Sequence, residues 1–451
     1  MPDIRVADAI NIYFSYQGEI MCKKTVVLIN LLGAVFLNMI GVNSVHAVPS
    51  FARQTGLECS SCHTVFPQLT PFGRQFKLLG YTLSDAEEGE GKPLPVSAGV
   101  QISYTSIKKS GMDVEGDKFR TPQMASLYYA GKVFSNLGAF AQLAYEEERQ
   151  QTTLTMADIR YADQSTVGGQ SVIYGITLNN MPTLQDVWNS TPAYMFPYEP
   201  AAITPAPAAG LGLDMGLSMK VVGLGAYTFW NNSIYAELSG YRSRDGGEMG
   251  PIQGTAPYWR LAYEKQWDDK SFSLGTYGMS GKVRLKDDMA MMLGDTTRYR
   301  DIALDAQYQH IVESHIFTLY GTLINRRQRY DMPATMMGEP AIPVTSKSNI
   351  LRVNSSYYFQ RKYGLTLGYF SITGDTDSNL YVSEEITGSR TGSPDTNGAI
   401  AELAYLPWDH AKLSLQYTVY NKFNGARSDY DGFGRDASDN NTLYTVANFM
   451  F

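Results

Sequence analysis

The sequence predicts an all-β fold, a transmembrane outer-membrane β-barrel of about sixteen antiparallel strands. Three observations carry that prediction. Apolar and polar residues alternate with period two over most of the chain. The connections between the alternating runs are short and long by turns. The composition is sparing in charge (18% of 451 residues) and rich in aromatics (12%, with 31 tyrosines), as expected for lipid-facing strands flanked by aromatic girdles. The formal net charge of −7 and the lack of any basic cluster exclude a nucleic-acid partner.

Residues 1–20 resemble no export signal, and Met21 reads as the true start. Residues 21–47, "MCKKTVVLINLLGAVFLNMIGVNSVHA", read as a secretory signal. Lys23 and Lys24 form its positive region, an apolar core follows, and Val45-His46-Ala47 is a small-residue cleavage site. The alternative, a membrane anchor, is interrupted by Asn30 and Asn38. Removing this segment takes Cys22 with it, so Cys59 and Cys62 are the only thiols of the exported chain. An oxidising compartment favours that economy.

Residues 48–95 are compact and turn-rich, and they hold "CSSCH". Two cysteines two residues apart, followed at once by histidine, are the signature of covalent c-type haem attachment. One helical turn presents both thiols, Cys59 and Cys62, to one porphyrin edge, and His63 follows as the proximal iron ligand. The alternatives are a redox pair or half a zinc site, but this segment offers no further Cys or His. The sequence therefore predicts one covalently bound c-type haem, in a small N-terminal segment that plugs the barrel lumen midway or near its outer mouth. The segment holds no methionine, so the distal ligand is Met124 or Met156, both on the inward parity of their strands, or water, or the site is five-coordinate. Arg53, Arg74 and Lys77 are either propionate partners or solvated surface.

Residues 96–451 are the barrel. "LRVNSSYYFQ" sets Leu351, Val353, Ser355, Tyr357 and Phe359 on one face. "LSLQYTVYNK" does the same with Leu413, Leu415, Tyr417 and Val419, and Ala157, Ile159 and Tyr161 alternate with Asp158 and Arg160. Short turns are expected at Ser135-Asn136 and in "WNNS", "WDDK", "RKYG" and "PWDH". Long loops are expected near 108–121, 243–256, 285–297, 328–346, 375–397 and 424–440. Between Asn179 and Gly210 runs a proline-rich stretch too long for a turn. Its Trp188, Tyr194, Phe196 and Tyr198 argue for an ordered segment folded into the mouth or lumen. The ending "NTLYTVANFMF" resembles the C-terminal strand by which outer-membrane barrels are recognised for assembly.

"PSFARQTGLECSSCHTVFPQLTPFGRQFKLLGY", "SLYYAGKV", "PTLQDVWNSTPAYMFP" and the barrel behind them resemble the fused monohaem cytochrome c–porins, the outer-membrane iron oxidases of iron-oxidising bacteria. The resemblance covers essentially the whole exported chain. It implies an oxidoreductase of the bacterial outer membrane, with extracellular ferrous iron as electron donor and a soluble periplasmic cytochrome c as acceptor. Cys59, Cys62 and His63 carry over directly; no distal ligand does. The other readings are a diffusion porin with a structural haem segment, and an outward electron conduit to an external acceptor.

Overall fold

The computed structural model describes residues 49–65, 67–84, 94–111, 116–189, 201, 203–209, 216–217, 219–244, 250–284, 296–332, 342–408 and 410–451. The expected signal at 21–47 and the extension at 1–20 lie outside them. The described chain from residue 49 to residue 450 is one compact unit.

Two small helices open it, α1 (Pro49–Thr55) and α2 (Cys59–Cys62). A two-stranded ribbon follows, β1 (His63–Val65) with β2 (Gln68–Leu69), and then α3 (Pro71–Leu78). Sixteen strands come next. The first eight are β3 (Val96–Ile107), β4 (Asp117–Phe134), β5 (Leu137–Glu146), β6 (Gln151–Val167), β7 (Gln170–Asn179), β8 (Val221–Trp230), β9 (Ile234–Ser243) and β10 (Ala256–Trp267). The rest are β11 (Lys270–Arg284), β12 (Thr296–Ile311), β13 (His315–Met332), β14 (Ile342–Phe359), β15 (Tyr363–Gly374), β16 (Thr396–Trp408), β17 (Ala411–Lys422) and β18 (Thr442–Met450). Each pairs antiparallel with its sequence neighbour, and β18 closes on β3 from Thr442↔Ile107 to Met450↔Gly99. Closure leaves no edge with unpaired backbone, which is what lets a sheet span lipid.

Parity settles which face is which. Leu351, Val353, Tyr357 and Phe359 point outward and are exposed, whereas Asn354, Ser356 and Tyr358 point inward and are buried. Leu413, Leu415 and Tyr417 face outward against Ser414 and Gln416. An apolar outside around a polar-lined inside is the arrangement of a barrel in the outer membrane. Trp230, Trp267, Tyr363, Tyr405 and Trp408 are exposed beside the short turns, forming an interfacial aromatic belt there.

The expected short turns are all present. Two further ones, at 168–169 and 312–314, are made by Gly168-Gly169 and by a hydrogen-bonded pair between Val312 and His315. The loop expected at 328–346 is shorter, because β13 and β14 stay paired as far as Met332↔Ile342.

The lumen is not a bare polar channel. Tyr241, Tyr258, Tyr277, Tyr299, Ile324 and Ile350 form one buried cluster on its wall. Ala209 and Leu217 from the β7–β8 connection and Tyr381 from the β15–β16 connection pack into it. Loops entering from the long-loop end thus fill the interior with apolar side chains.

Candidate functional site

The haem-signature turn is built by its neighbours. Cys59–Cys62 make the single turn α2, and the chain then turns extended at His63, whose backbone N–H donates to the Cys59 carbonyl. Helix α3 starts at Thr70, whose hydroxyl accepts from the Gly73 N–H (3.1 Å) and donates to the Ser61 carbonyl (2.7 Å). That cap fastens α3 to α2. Gly73 is required by the contact: a Cβ there would stand 2.1 Å from the Cys62 carbonyl oxygen. The sequence "PFGRQF" therefore lets two helices touch backbone to backbone.

Cys59, Cys62 and His63 line one cavity of about 1120 Å³, open space at its mouth included. Phe51, Phe76 and Phe140 give it an apolar wall, and Met156 and Met181 also line it. Phe51 packs edge-on to Phe76 at 5.1 Å and stacks on Tyr81 at 5.3 Å, so the segment carries a small aromatic core of its own. Burial pushes the His63 imidazole down to about 4, against the pull of hydrogen bonds from the ring to backbone groups of Pro67 and Gln68. At neutral pH His63 is uncharged, the form that ligates metal. Burial likewise pushes the Cys62 thiol up to about 11. The thiols are not joined in a disulfide, and no cluster of three or more His, Cys, Asp or Glu suited to a metal occurs among the described residues. A raised thiol is poor chemistry for a redox pair and a lone Cys-Cys-His set is short of a structural zinc site. The residues fit a porphyrin held through two thioethers and one imidazole.

The segment is anchored to the barrel wall by buried polar contacts. Arg74 Nε donates to Glu264 Oε2 at 2.8 Å, and its terminal nitrogen donates to Leu69 O and Gln309 Oε1, both at 3.0 Å. Tyr81 Oη donates to Asp158 Oδ2 at 2.6 Å, and Tyr227 Oη to the Leu78 carbonyl at 2.6 Å. The Gln54 side chain donates to Tyr81 O and accepts from Lys132 N–H, each at 2.7 Å. On the wall, Gly138 is needed for close approach, since a Cβ would lie 2.1 Å from Gly80 O.

Glu264, Gln309, Tyr227, Lys132 and Gly138 lie toward the strand ends that the short turns join, the end that faces the periplasm in outer-membrane barrels. At the short-turn end, Arg53 donates to Leu94 O (3.0 Å) and Val96 O (2.6 Å) where β3 begins, and Ser50 N–H to Ser97 Oγ (3.0 Å). From Gln309 to Thr297 along β12 the wall rises roughly 30 Å further toward the long-loop end.

The β7–β8 connection descends to meet the segment. It leaves the sheet at Asn179, forms one further helical turn, α4 (Pro182–Gln185), and reaches Asn189. Gln185 is held by Ser239 (2.9 Å), Tyr241 Oη (2.7 Å) and Asn179 (2.8 Å). Trp188, 1% exposed, packs edge-on to Tyr235 at 5.1 Å and donates to Glu264 Oε2 at 2.7 Å. The Arg260 guanidinium lies 5.2 Å from the Trp188 ring and pairs with Asp305 through two 2.9 Å bonds. This is the infolded segment expected from its aromatic residues; Tyr194, Phe196 and Tyr198 lie outside the described residues.

Of the two strand methionines, Met156 lines the cavity and Met124, on β4, does not. Of the three basic candidates, Arg53 and Arg74 are committed to backbone and wall. Lys77 lines the cavity, and its Nζ donates to the Leu184 carbonyl. Sequence reasoning passed over Met181 and Phe140. Phe140 follows from the inward parity of β5. Met181 had only its place in the aromatic-bearing loop to mark it.

No family model matches the chain, and no curated protein does. Solved structures similar to it are outer-membrane proteins. OmpF of Salmonella typhi, in a complex with daunomycin, aligns over 79% of this chain and 97% of its own at 14% identity, with a TM-score of 0.48. The outer-membrane channel DcaP of Acinetobacter baumannii aligns over 82% and 100% at 13% identity, with a TM-score of 0.47. A loop-deletion mutant of OmpT of Vibrio cholerae gives 79%, 98%, 10% and 0.42. Likenesses this distant carry no functional information.

Proposed function

We propose that this chain is an outer-membrane electron-transfer protein. Cys59 and Cys62 would hold a single c-type haem and His63 would ligate it, for one-electron transfer from extracellular ferrous iron to a soluble periplasmic cytochrome c. One observation supports this most: the "CSSCH" turn faces an apolar cavity inside a membrane barrel. When bound, the haem supplies one-electron transfer. The chain's own residues do the rest. The two thiols fix the group, the uncharged imidazole offers its lone pair, and the Phe51, Phe76 and Phe140 wall excludes water.

Gly56, Leu57 and Glu58, just before the first thiol, are exposed. An external donor is separated from the cavity by the lumen, so the electron has to enter through it. Moving only the electron also keeps insoluble ferric product out of the envelope. The direction of flow rests on reduction potential, which ligand and burial set.

The test is anaerobic addition of ferrous iron to the oxidised protein in mild detergent, followed at the haem α-band. Prompt reduction is expected. A haem that dithionite reduces and ferrous iron does not would overturn the choice of donor.

A second reading, a diffusion porin, is favoured by the barrel itself, since sixteen strands enclose room for a channel. The infolded loops and the buried tyrosine cluster oppose it. Planar-bilayer conductance separates the two: an open porin conducts steadily, a plugged barrel little.

A further inference from the structure

Resting on the haem reading above, we propose that Met181, on the loop that folds into the lumen, is the second axial ligand of the haem iron. The wall of the cavity carries few side chains with a donor atom besides the "CSSCH" residues themselves. Most of those are committed elsewhere. Tyr81 Oη is given to Asp158 at 2.6 Å, Lys77 Nζ to Leu184 O, and Thr55 Oγ1 to Phe51 O at 2.9 Å. Glu58 accepts from Ser60 Oγ at 3.2 Å and is exposed. Asn189 offers a hard amide oxygen or a nitrogen without a free pair. What remains for low-spin haem iron is a thioether, from Met156 or Met181.

The two are held differently. Met156 stands on β6 beside an irregularity, where the ladder runs from Gln142↔Met156 straight to Leu143↔Leu154. Met181 is set by its own sequence. Pro182 confines the residue before it to extended backbone, and Met181 has φ −159° and ψ 119°. Its N–H donates to Asn179 Oδ1 at 3.2 Å, while the Asn180 side chain accepts from Ala157 N–H at 2.8 Å and so ties the loop's departure to β6. Three residues on, Leu184 O accepts from Lys77 of the haem segment. The loop is thus fastened to the wall before Met181 and to α3, the helix that follows the cysteine turn, after it. A ligand held at both ends is pre-organised and resists exchange. The same latch makes the β7–β8 loop part of the haem site rather than a constriction of a pore.

The measurement is the far-red methionine-to-ferric-iron charge-transfer absorption of the purified full-length protein, in the wild type and in Met181→Ala, Met156→Ala and Met181→His. The expected result is a band in the wild type and in Met156→Ala, and its loss in Met181→Ala with faster cyanide binding. Met181→His is expected to restore a low-spin spectrum without the band and at a lower potential, which a merely structural role of Met181 would not produce. A band that survives in Met181→Ala, vanishes in Met156→Ala, or is missing from a haem-loaded wild type overturns the proposal and leaves covalent haem attachment standing. A wild type with no covalent haem overturns the haem reading itself, and this proposal with it.

Discussion

Arg74 and Trp188 meet on one oxygen: Glu264 Oε2 accepts from Arg74 Nε at 2.8 Å and from Trp188 Nε1 at 2.7 Å. All three are buried, so this carboxylate on β10 joins the N-terminal segment to the infolded loop where water cannot replace either partner. A buried charge that loses its partner is costly, whereas the intact pair is close to neutral in stability. The contact therefore fixes position more than it adds stability.

Replacing Arg74 by Ala leaves Glu264 buried and under-compensated, a loss of about 3–5 kcal/mol. That loss falls on the seating of the segment and not on the strand ladder. Limited proteolysis is expected to cut residues 49–84 rapidly, while the barrel keeps its heat-modifiable mobility in gels. Equal resistance to protease would place the anchor elsewhere.

Removing the Trp188 ring takes away a fully buried aromatic that touches Phe229, Tyr235 and Arg260. Such truncations cost about 3–5 kcal/mol. Trp188→Ala is expected to loosen the loop and raise single-channel conductance well above that of the parent protein. An unchanged conductance would show that the closure of the lumen does not depend on this ring.

The strands and their inward and outward faces were legible because each is written locally, as is the cysteine motif whose haem is proposed. Period-two alternation shows along "LRVNSSYYFQ" by itself, and "CSSCH" is five consecutive residues. The seating was not legible. Arg74 and Glu264 are 190 residues apart, and Arg74 and Gln309 are 235 apart. No local pattern marks one inward glutamate among many as the one that takes an arginine from the plug. Arg74 read equally well as a propionate partner for that reason. Met181 was hidden because a loop has no parity, so nothing in its sequence says which way it folds.

Substituting Gly73 by Ala drives a methyl group into the Cys62 carbonyl, a backbone contact with no rotamer to yield. Overpacking of this kind costs about 1–3 kcal/mol and here separates α3 from the cysteine turn. The expected outcome is a lower haem-to-protein ratio by haemochrome assay at normal barrel yield. A full complement of haem would show that the turn tolerates the separation.

The central claim is one covalent haem on the turn that faces the lumen cavity. Its most direct test is mass spectrometry of the protease-digested full-length protein after export with the haem-attachment machinery present. The expected peptide contains both Cys59 and Cys62, carries one haem mass and takes up no alkylating reagent. Two alkylated thiols at Cys59 and Cys62, with no haem mass on the peptide, would contradict it.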